Sequence, residues 1–358
     1  MEPGLHMRGT SNRRKSLTSL WLVLAVATAV SLAGCGSDSE QPEAEDDGSI
    51  SVVASTSAYG SIVEAVAGGN VEVTSIIDSV SQDPHSYEAT VRDKLKVSKA
   101  DLVVENGGGY DTFLHRLAED TGVASEHVLT AVEAAGPGEG GPGGDAGEGA
   151  HGGHQEHGGA HSGHQEHSGA HDGGHGHDHG SGNEHVWYDL AAMSALSQQI
   201  AAKLGELDPA NRDEYHTNAG RFAAGAGQLQ DQLGQIRQSH HGAPVAITEP
   251  VPVHLLDDAG LENKTPPEFS QAIEEGHGVA PAVLRQVRDL LSEEKVQFLA
   301  YNPQTAGAQT ETVKRVAVQA GIPVVSFTET LPESSDYLEW MGTNVDNIEQ
   351  ALNASTDS

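Results

Sequence analysis

Short apolar runs rich in β-branched residues alternate with segments of helical spacing through the first part of the chain. The expected strands are residues 50–54, 71–77, 102–105 and 127–132. The expected helices between them are residues 62–66, 91–100 and 112–119. Strands that alternate with helices are typical of parallel βαβ units. This part of the chain is therefore predicted to form an α/β lobe.

The same alternation returns after residue 240. Its expected strands are residues 245–248, 296–301 and 322–327, and its expected helices are 253–259, 282–291, 308–320 and 337–352. Between the two blocks, the amphipathic segment 190–204 precedes a long helix predicted over residues 210–239, with Asp208 as its N-cap and Pro209 at its first position. The expected fold class is α/β with two lobes. Each lobe is a mostly parallel sheet flanked by helices, and one long rigid helix joins them.

The alternation vanishes between residues 136 and 183, which hold 19 of the 43 glycines and 10 of the 20 histidines. Such a segment cannot bury enough apolar surface to order itself, so it is predicted to be a disordered insert. It contains a ten-residue repeat over 151–160 and 161–170, with a degenerate third copy over 171–180. Low-complexity histidine tracts bind metal ions. The auxiliary metal ligands expected here are His151, His154, His157, His161, His164, His167, His171, His175, His177 and His179.

The chain begins with a pattern typical of an export signal. Four basic residues between positions 8 and 15 precede an apolar run over residues 17–32. The run ends in Leu32-Ala33-Gly34-Cys35, which resembles the lipobox of bacterial lipoproteins, and Cys35 is the only cysteine in the chain. A plain signal peptide or an anchor helix is the alternative. Cys35 is therefore the predicted lipidation site.

These features divide the chain into five segments. The predicted segments are a lipoprotein signal peptide (1–34), an acidic tether (35–48), an N-terminal α/β lobe (49–209) that contains the insert (136–183), a connecting helix (210–239) and a C-terminal α/β lobe (240–358).

Composition excludes several classes of function. The formal net charge is −33, from 19 Lys+Arg and 52 Asp+Glu, which argues against nucleic acid as a partner because phosphate binding needs a basic surface. One cysteine cannot form an internal disulfide or a cysteine-based zinc site. The motifs H-E-x-x-H and G-x-S-x-G are absent from the sequence, so no enzymatic activity is expected.

Side chains that can bind a metal ion follow several predicted strands. In open α/β sheets, ligands bind beyond the carboxyl ends of the strands. His85, Glu249 and Glu329 follow the strands at 71–77, 245–248 and 322–327, and His185 lies where the α/β pattern resumes after the insert. Two imidazoles and two carboxylates make a plausible divalent-metal shell. Each residue also has an ordinary interpretation, as a turn residue, the last histidine of the tract, or a surface carboxylate.

Residues 50–352 resemble the metal-binding lipoproteins of bacterial zinc/manganese ABC importers, the cluster 9 solute-binding proteins. Asp83-Pro84-His85 is similar to the family's first ligand motif, and His185-Val186-Trp187-Tyr188-Asp189 is similar to its second. Residues 106–111 resemble the family's structural Asn-Gly-x-Gly turn. The resemblance implies that His85, His185, Glu249 and Glu329 are the metal ligands.

The ligand set departs from the pattern of zinc-specific members, which usually carry a third histidine at the position of Glu249 and an aspartate at that of Glu329. A glutamate in the third place is similar to the manganese members. Two carboxylates favour manganese relative to a three-histidine site, whereas the histidine tract favours zinc. Zinc also accepts carboxylate oxygen in a tetrahedral shell. Zn²⁺ is therefore the expected cargo, and Mn²⁺ is the alternative.

The function that the resemblance implies is capture and delivery. The protein is expected to bind Zn²⁺ between its lobes and to pass it to an ABC transporter permease, as an extracytoplasmic monomer that a lipid anchors to the cell membrane. Three alternatives stay open: a manganese-specific member of the family, a surface protein for zinc storage or adhesion, and a secreted zinc hydrolase. The histidine tract is open to interpretation as a metal reservoir, a pH-dependent sensor or a passive insert.

Overall fold

The computed structural model describes residues 49–82, 84–136, 183–293 and 295–356. The strands in these ranges are β1 (Ile50–Thr56), β2 (Val71–Ile77), β3 (Leu102–Glu105), β4 (Val128–Thr130), β5 (Pro244–Ile247), β6 (Glu262–Asn263), β7 (Leu299–Tyr301) and β8 (Val324–Ser326). The helices are α1 (Ser57–Ala67), α2 (Val91–Val97), α3 (Thr112–Thr121), α4 (Ala131–Ala134), α5 (Leu190–Leu207), α6 (Arg212–His240), α7 (Val253–Asp258), α8 (Pro267–Glu274), α9 (Pro281–Ser292), α10 (Ala308–Gln319) and α11 (Tyr337–Thr356). Single 3₁₀ turns are formed by Pro84–Ser86, Ser125–His127 and Val186–Tyr188.

The strands form two four-stranded sheets, one in each lobe. Their orders are β2-β1-β3-β4 and β6-β5-β7-β8, and every pairing in both sheets is parallel. The predicted two-lobed α/β fold with parallel sheets is therefore confirmed. In each sheet the first strand of the lobe lies between the second and the third. Because all pairings are parallel, the carboxyl ends of the four strands lie along one edge. This is the edge at which open α/β sheets bind ligands.

The long helix α6 spans 29 residues and packs along α5, α1 and α11. Its buried apolar side chains include Phe222, Leu229, Leu233 and Ile236. The expected N-cap at Asp208 is wrong. Asp208 instead ends α5, and its carboxylate accepts hydrogen bonds from the Asn211 side chain and the Tyr215 hydroxyl, at 2.6 and 2.8 Å. The aspartate thus holds the turn between the two helices, and α6 starts after it.

The largest hydrophobic core runs through both lobes. It contains Val52 and Leu102 from the first sheet, Val245 and Ile247 from the second, and the buried side of α6. Each sheet also contributes to one smaller hydrophobic cluster of its own. Hydrogen bonds also cross between the lobes: the Tyr337 hydroxyl donates to the Trp187 carbonyl oxygen at 2.7 Å. The two lobes therefore share one interior.

Several predicted features lie outside the described residues. They are the signal peptide, Cys35, the acidic tether and the ten histidines of the tract. Among the helices that the structure does describe, none has the length and apolarity that a membrane span requires.

Candidate metal centre

Three of the four predicted ligands lie just beyond strand ends. His85 is on the 3₁₀ turn that follows β2, Glu249 follows β5, and Glu329 follows β8. His185 immediately precedes the 3₁₀ turn Val186–Tyr188, which leads into α5. The start of α5 is fixed by Asp189, whose carboxylate accepts hydrogen bonds from two backbone amides of its first turn, each at 2.9 Å. The cap thereby anchors the segment that carries His185.

The His185 side chain is fully buried and held in one tautomer. Its Nδ1 lies 2.7 Å from Asn183 Oδ1. The Asn183 amide nitrogen donates to the Pro250 carbonyl oxygen at 3.1 Å, which fixes the amide oxygen toward the imidazole. An amide oxygen only accepts, so Nδ1 carries the proton and Nε2 presents its lone pair. No described residue offers His185 Nε2 a hydrogen bond. This is the arrangement of a metal-binding histidine whose second nitrogen is anchored by a hydrogen bond.

Burial also keeps His185 neutral. It lowers the pKa of the imidazole to about 3, although the charge of Glu329 acts in the opposite direction. A neutral imidazole is the form that binds a metal ion.

His85 lies between two carboxylates. Its Nε2 is 3.4 Å from Glu329 Oε2, and its Nδ1 is 3.7 Å from Glu184 Oε1. Burial acts to lower the pKa of His85, but the hydrogen bond and charge of Glu329 and the charges of Glu184 and Glu274 raise it to about 9. The imidazole is therefore protonated at neutral pH in the metal-free protein, and a cation can take the place of that proton.

Glu329 is fully buried and surrounded by donors. Its two carboxylate oxygens accept from Asn302 Nδ2 at 2.8 Å and from the Tyr110 hydroxyl at 3.0 Å. Burial would raise its pKa, but the hydrogen bond and charge of His85, aided by His185 and Asn302, lower it below the usual value. Glu329 is therefore ionised and supplies a fixed negative charge at the centre.

Glu249 is the second buried carboxylate at the carboxyl edge of the second sheet. Its Oε2 accepts a hydrogen bond from the Thr305 hydroxyl, whereas no described residue offers one to its Oε1. Burial and the charge of Glu329 raise its pKa to about 7, against the lowering effect of the Thr305 and Asn302 hydrogen bonds. An oxygen that is buried and lacks a donor is costly unless a cation approaches it.

Two further carboxylates lie beside the histidines, and neither was among the candidate ligands predicted from the sequence. His85, Glu184, His185 and Glu274 each offer one ligand atom, and these four atoms lie within 4.8 Å of one another. Glu274 Oε1 is 3.7 Å from His185 Nε2. Burial raises the pKa of Glu274 to about 8; the charge of His85 acts to lower it, and the charges of neighbouring carboxylates raise it further. Adjacency to His185 was the available signal for Glu184, whereas Glu274 ends a helix that the apolar pattern did not predict.

A glycine-rich turn holds the wall of the centre. Gly107, Gly108 and Gly109 all have positive φ, and a Cβ on Gly107 would lie 2.3 Å from the Thr130 side chain. The Asn106 side-chain amide donates to the Glu184 carbonyl oxygen at 2.9 Å. The turn therefore fixes the backbone beside His185, in keeping with the structural role that the resemblance implied.

Aromatic rings cover the histidines. The Tyr110 ring centroid is 5.1 Å from that of His85, and the Trp187 centroid is 5.1 Å from that of His185. The Tyr110 and Trp187 rings pack against each other at 4.6 Å. This apolar layer limits the access of water to the ligand atoms, which strengthens electrostatic interactions inside the site.

The donor set fits a divalent transition-metal ion. Two ligand atoms of a tetrahedral Zn²⁺ ion lie about 3.4 Å apart when the metal–ligand bonds are about 2.1 Å. The separations of 3.4 Å between His85 Nε2 and Glu329 Oε2, and of 3.7 Å between His185 Nε2 and Glu274 Oε1, are close to this value. Imidazole nitrogen with carboxylate oxygen suits zinc and manganese. The arrangement can bind and enclose a cation.

Comparison with known proteins agrees with this chemistry. The family described as "ZnuA: Zinc-uptake complex component A periplasmic" matches residues 52–351. The metal ABC transporter substrate-binding lipoprotein ScbA of Streptococcus cristatus is 24% identical over 335 residues, which cover 93% of this chain and 98% of ScbA. The manganese ABC transporter substrate-binding lipoprotein PsaA of Streptococcus pneumoniae is 23% identical over 348 residues, which cover 93% of this chain and 97% of PsaA.

Solved structures share the fold. The structure described as "Crystal structure of ZnuA" has a TM-score of 0.61 at 19% identity and covers 86% of this chain and 98% of that one. FpvC from Pseudomonas aeruginosa, solved in complex with Mn²⁺, has a TM-score of 0.61 at 22% identity, with 86% and 99% covered. At these identities the likeness shows the architecture alone. The family match spans most of the described residues, and this chain therefore belongs to the family of zinc-uptake complex component A, as a metal-binding, substrate-binding protein of an ABC transporter.

Proposed function

We propose that this protein captures Zn²⁺ between its two lobes, with His85, His185, Glu249 and Glu329 as ligands, and delivers the ion to an ABC permease. The observation that carries the proposal is the convergence of buried donor atoms from both lobes. His85 Nε2 lies 3.4 Å from Glu329 Oε2, and His185 Nε2 lies 3.7 Å from Glu274 Oε1; in each pair the two residues belong to different lobes. A cation bound among these atoms would be held by both lobes.

Zinc is favoured by the closure of the site. The side chains of His185 and Glu329 are fully buried and that of Glu249 is nearly so. Zn²⁺ accepts four ligands in a closed tetrahedral shell, so it needs no water within such a site. The histidine tract supports the same metal, because neutral imidazole is a good zinc ligand and the tract would raise the local concentration of zinc.

Manganese is the second candidate because carboxylates are numerous. Glu184 and Glu274 add two oxygen donors to those of Glu249 and Glu329. Oxygen ligands suit Mn²⁺, which binds imidazole less strongly than zinc does. PsaA of Streptococcus pneumoniae, named as a manganese protein, is one of the relatives.

Attachment and delivery complete the proposal. Lipidation of Cys35 after removal of residues 1–34 would hold the protein at the outer face of the cell membrane, with residues 36–48 as a tether. From there the bound ion can pass to the permease. The tract histidines, His151 to His179, would act as auxiliary ligands that gather metal near the centre.

The experiment is a competitive titration of the mature chain from which residues 151–179 are deleted. We expect one tightly bound Zn²⁺ per chain, preferred over Mn²⁺. His85→Ala and His185→Ala should each weaken this binding by at least about 100-fold, because each removes a side chain that coordinates the ion directly. His277→Ala is the matched control, since His277 is exposed and paired with Glu275. A preference for Mn²⁺ would favour the second candidate. Loss of all tight binding with the tract would instead favour a surface zinc store.

A further inference from the structure

Two overlapping sets of donors surround the same pair of histidines. One set adds Glu249 and Glu329, which lie beyond β5 and β8. The other adds Glu184 and Glu274, whose ligand atoms lie within 4.8 Å of those of the histidines. The sets differ in depth. The Glu329 side chain is fully buried, whereas the Glu274 side chain is 14% exposed and the Glu184 side chain is 7% exposed.

Glu274 lies close to the Nε2 atom of His185, which is one of the ligand atoms of the inner set. Its Oε1 is 3.7 Å from His185 Nε2, and that nitrogen is fully buried and accepts no hydrogen bond from the described residues. The distance is close to the separation of about 3.4 Å between two ligands of one tetrahedral zinc ion. A metal ion bound to His185 can therefore be held by Glu274 without movement of the backbone.

The position of Glu274 on the fold makes it separate from the inner carboxylates. It is the last residue of α8, a helix of eight residues that begins at Pro267, and the next residue, Glu275, is followed by Gly276 with φ 66°. Glu249 and Glu329 are instead fixed by Thr305, Asn302 and Tyr110 beneath the surface. Glu274 thus lies at the end of a short helix, whereas Glu249 and Glu329 lie just beyond strands of the second sheet.

We propose that Glu274 is a ligand of the incoming metal ion in an outer coordination site that shares His85 and His185 with the inner site. The ion binds first to Glu274 and the two histidines, at the more exposed side, with Glu184 as the fourth donor. It then moves inward as Glu249 and Glu329 replace the outer carboxylates. Each replacement exchanges one carboxylate oxygen for another, so the number of carboxylate ligands around the ion stays the same. This inference rests on the proposed function of the inner site.

The test compares Glu274→Gln with Glu275→Gln in the full mature chain. The two variants make the same replacement of a carboxylate by an amide at neighbouring positions, but Glu275 is half-exposed and pairs with His277. The Trp187 ring lies 5.1 Å from His185, so its fluorescence reports binding at the centre. Stopped-flow mixing with Zn²⁺ gives the association and dissociation rates, and the absorption spectrum of bound Co²⁺ reports the coordination of the final complex.

For Glu274→Gln we expect the association rate to fall by at least about tenfold relative to Glu275→Gln, the lower end of what local charge contributes to association. Dissociation should slow in parallel, the equilibrium affinity should stay within about threefold, and the Co²⁺ spectrum of the final complex should match that of the wild type. The difference should persist in high salt, because a direct ligand is screened less than a distant charge.

Two results would overturn the inference and leave the proposed function standing. One is an association rate for Glu274→Gln equal to that of the control. The other is faster dissociation with unchanged association and an altered Co²⁺ spectrum, which would make Glu274 a ligand of the final complex. A wild-type chain that fails to bind Zn²⁺ at His185 would refute both proposals together, and His185→Ala identifies that case.

Discussion

Asn183 determines how the buried imidazole of His185 is presented, and replacing it by alanine tests that role. The Asn183 amide oxygen accepts from both His185 Nδ1 and the His185 backbone amide, at 2.7 and 3.2 Å, and the amide nitrogen donates to the Pro250 carbonyl oxygen. Asn183→Ala removes all three hydrogen bonds. The imidazole then loses the contact that selects the Nδ1–H tautomer and sets the ring orientation.

The size of the effect follows from what is lost. Removing the partner that orients a metal-binding histidine typically weakens metal affinity by about 10–100-fold, or about 1.4–2.7 kcal/mol. A polar group left without a partner in a buried site costs a further 1–3 kcal/mol or so of folding stability. We therefore expect weaker zinc binding together with a lower unfolding midpoint of the metal-free protein.

The assay is a competitive zinc titration of the chain lacking residues 151–179, with chemical denaturation of the metal-free form. Asn183→Asp should keep most of the affinity, because a carboxylate still accepts from His185 Nδ1. Asn211→Ala is the control, since the Asn211 side chain bonds to Asp208 at the start of α6. An affinity for Asn183→Ala within threefold of the wild type would refute this account of His185.

Three other predictions follow from the described contacts. Because the pKa of His85 is raised to about 9, zinc binding at pH 7.5 should release at least one proton, and the affinity for zinc should rise by up to about tenfold per pH unit. Calorimetry in buffers of different ionisation enthalpy measures the released protons, and a heat of binding that does not depend on the buffer would contradict the prediction. Tyr110→Phe removes the hydroxyl that donates to Glu329 and should weaken zinc binding about tenfold in the same titration, whereas an unchanged affinity would show that Glu329 is held by other contacts. Gly227→Ala in α6 should stabilise the protein by up to about 1 kcal/mol, because the new Cβ has no atom within 4 Å. Gly225→Ala should be less stable than Gly227→Ala, because its Cβ would lie 2.6 Å from a side chain of α11. Denaturation midpoints in the opposite order would contradict this packing.

The central strands β1, β3, β5 and β7 could be predicted from the sequence because they are short apolar runs whose residues are mostly buried. Val52 and Leu102, which pair in the first sheet, are examples of such core positions. The carboxyl-end rule then located His85, Glu249 and Glu329 without knowledge of their contacts.

The rest of the site could not be predicted from the same pattern. Strand β6 has two residues and helix α8 has eight, and elements this short show no clear hydrophobic periodicity. Because α8 was not predicted, nothing in the sequence indicated where Glu274 lies in the fold. Glu184 directly follows a segment of low complexity, which concealed it. Asp208 was wrongly predicted as an N-cap because the local sequence does not distinguish the two roles. An aspartate that stabilises a turn between two helices can have the same neighbours as one that begins a helix.

The interior that the lobes share determines how the protein folds and how it can release its cargo. Side chains of both sheets, of α6 and of α11 belong to one hydrophobic core, so separation of the lobes would expose apolar surface to water. The lobes should then unfold together in one cooperative transition, and a fragment that ends at α6 would lack the partner for its apolar face. Wide opening of the lobes is costly for the same reason. Under the proposed function, ion release would therefore depend on small movements at the rim of the cleft, where the end of α8 carries Glu274, while the core stays closed.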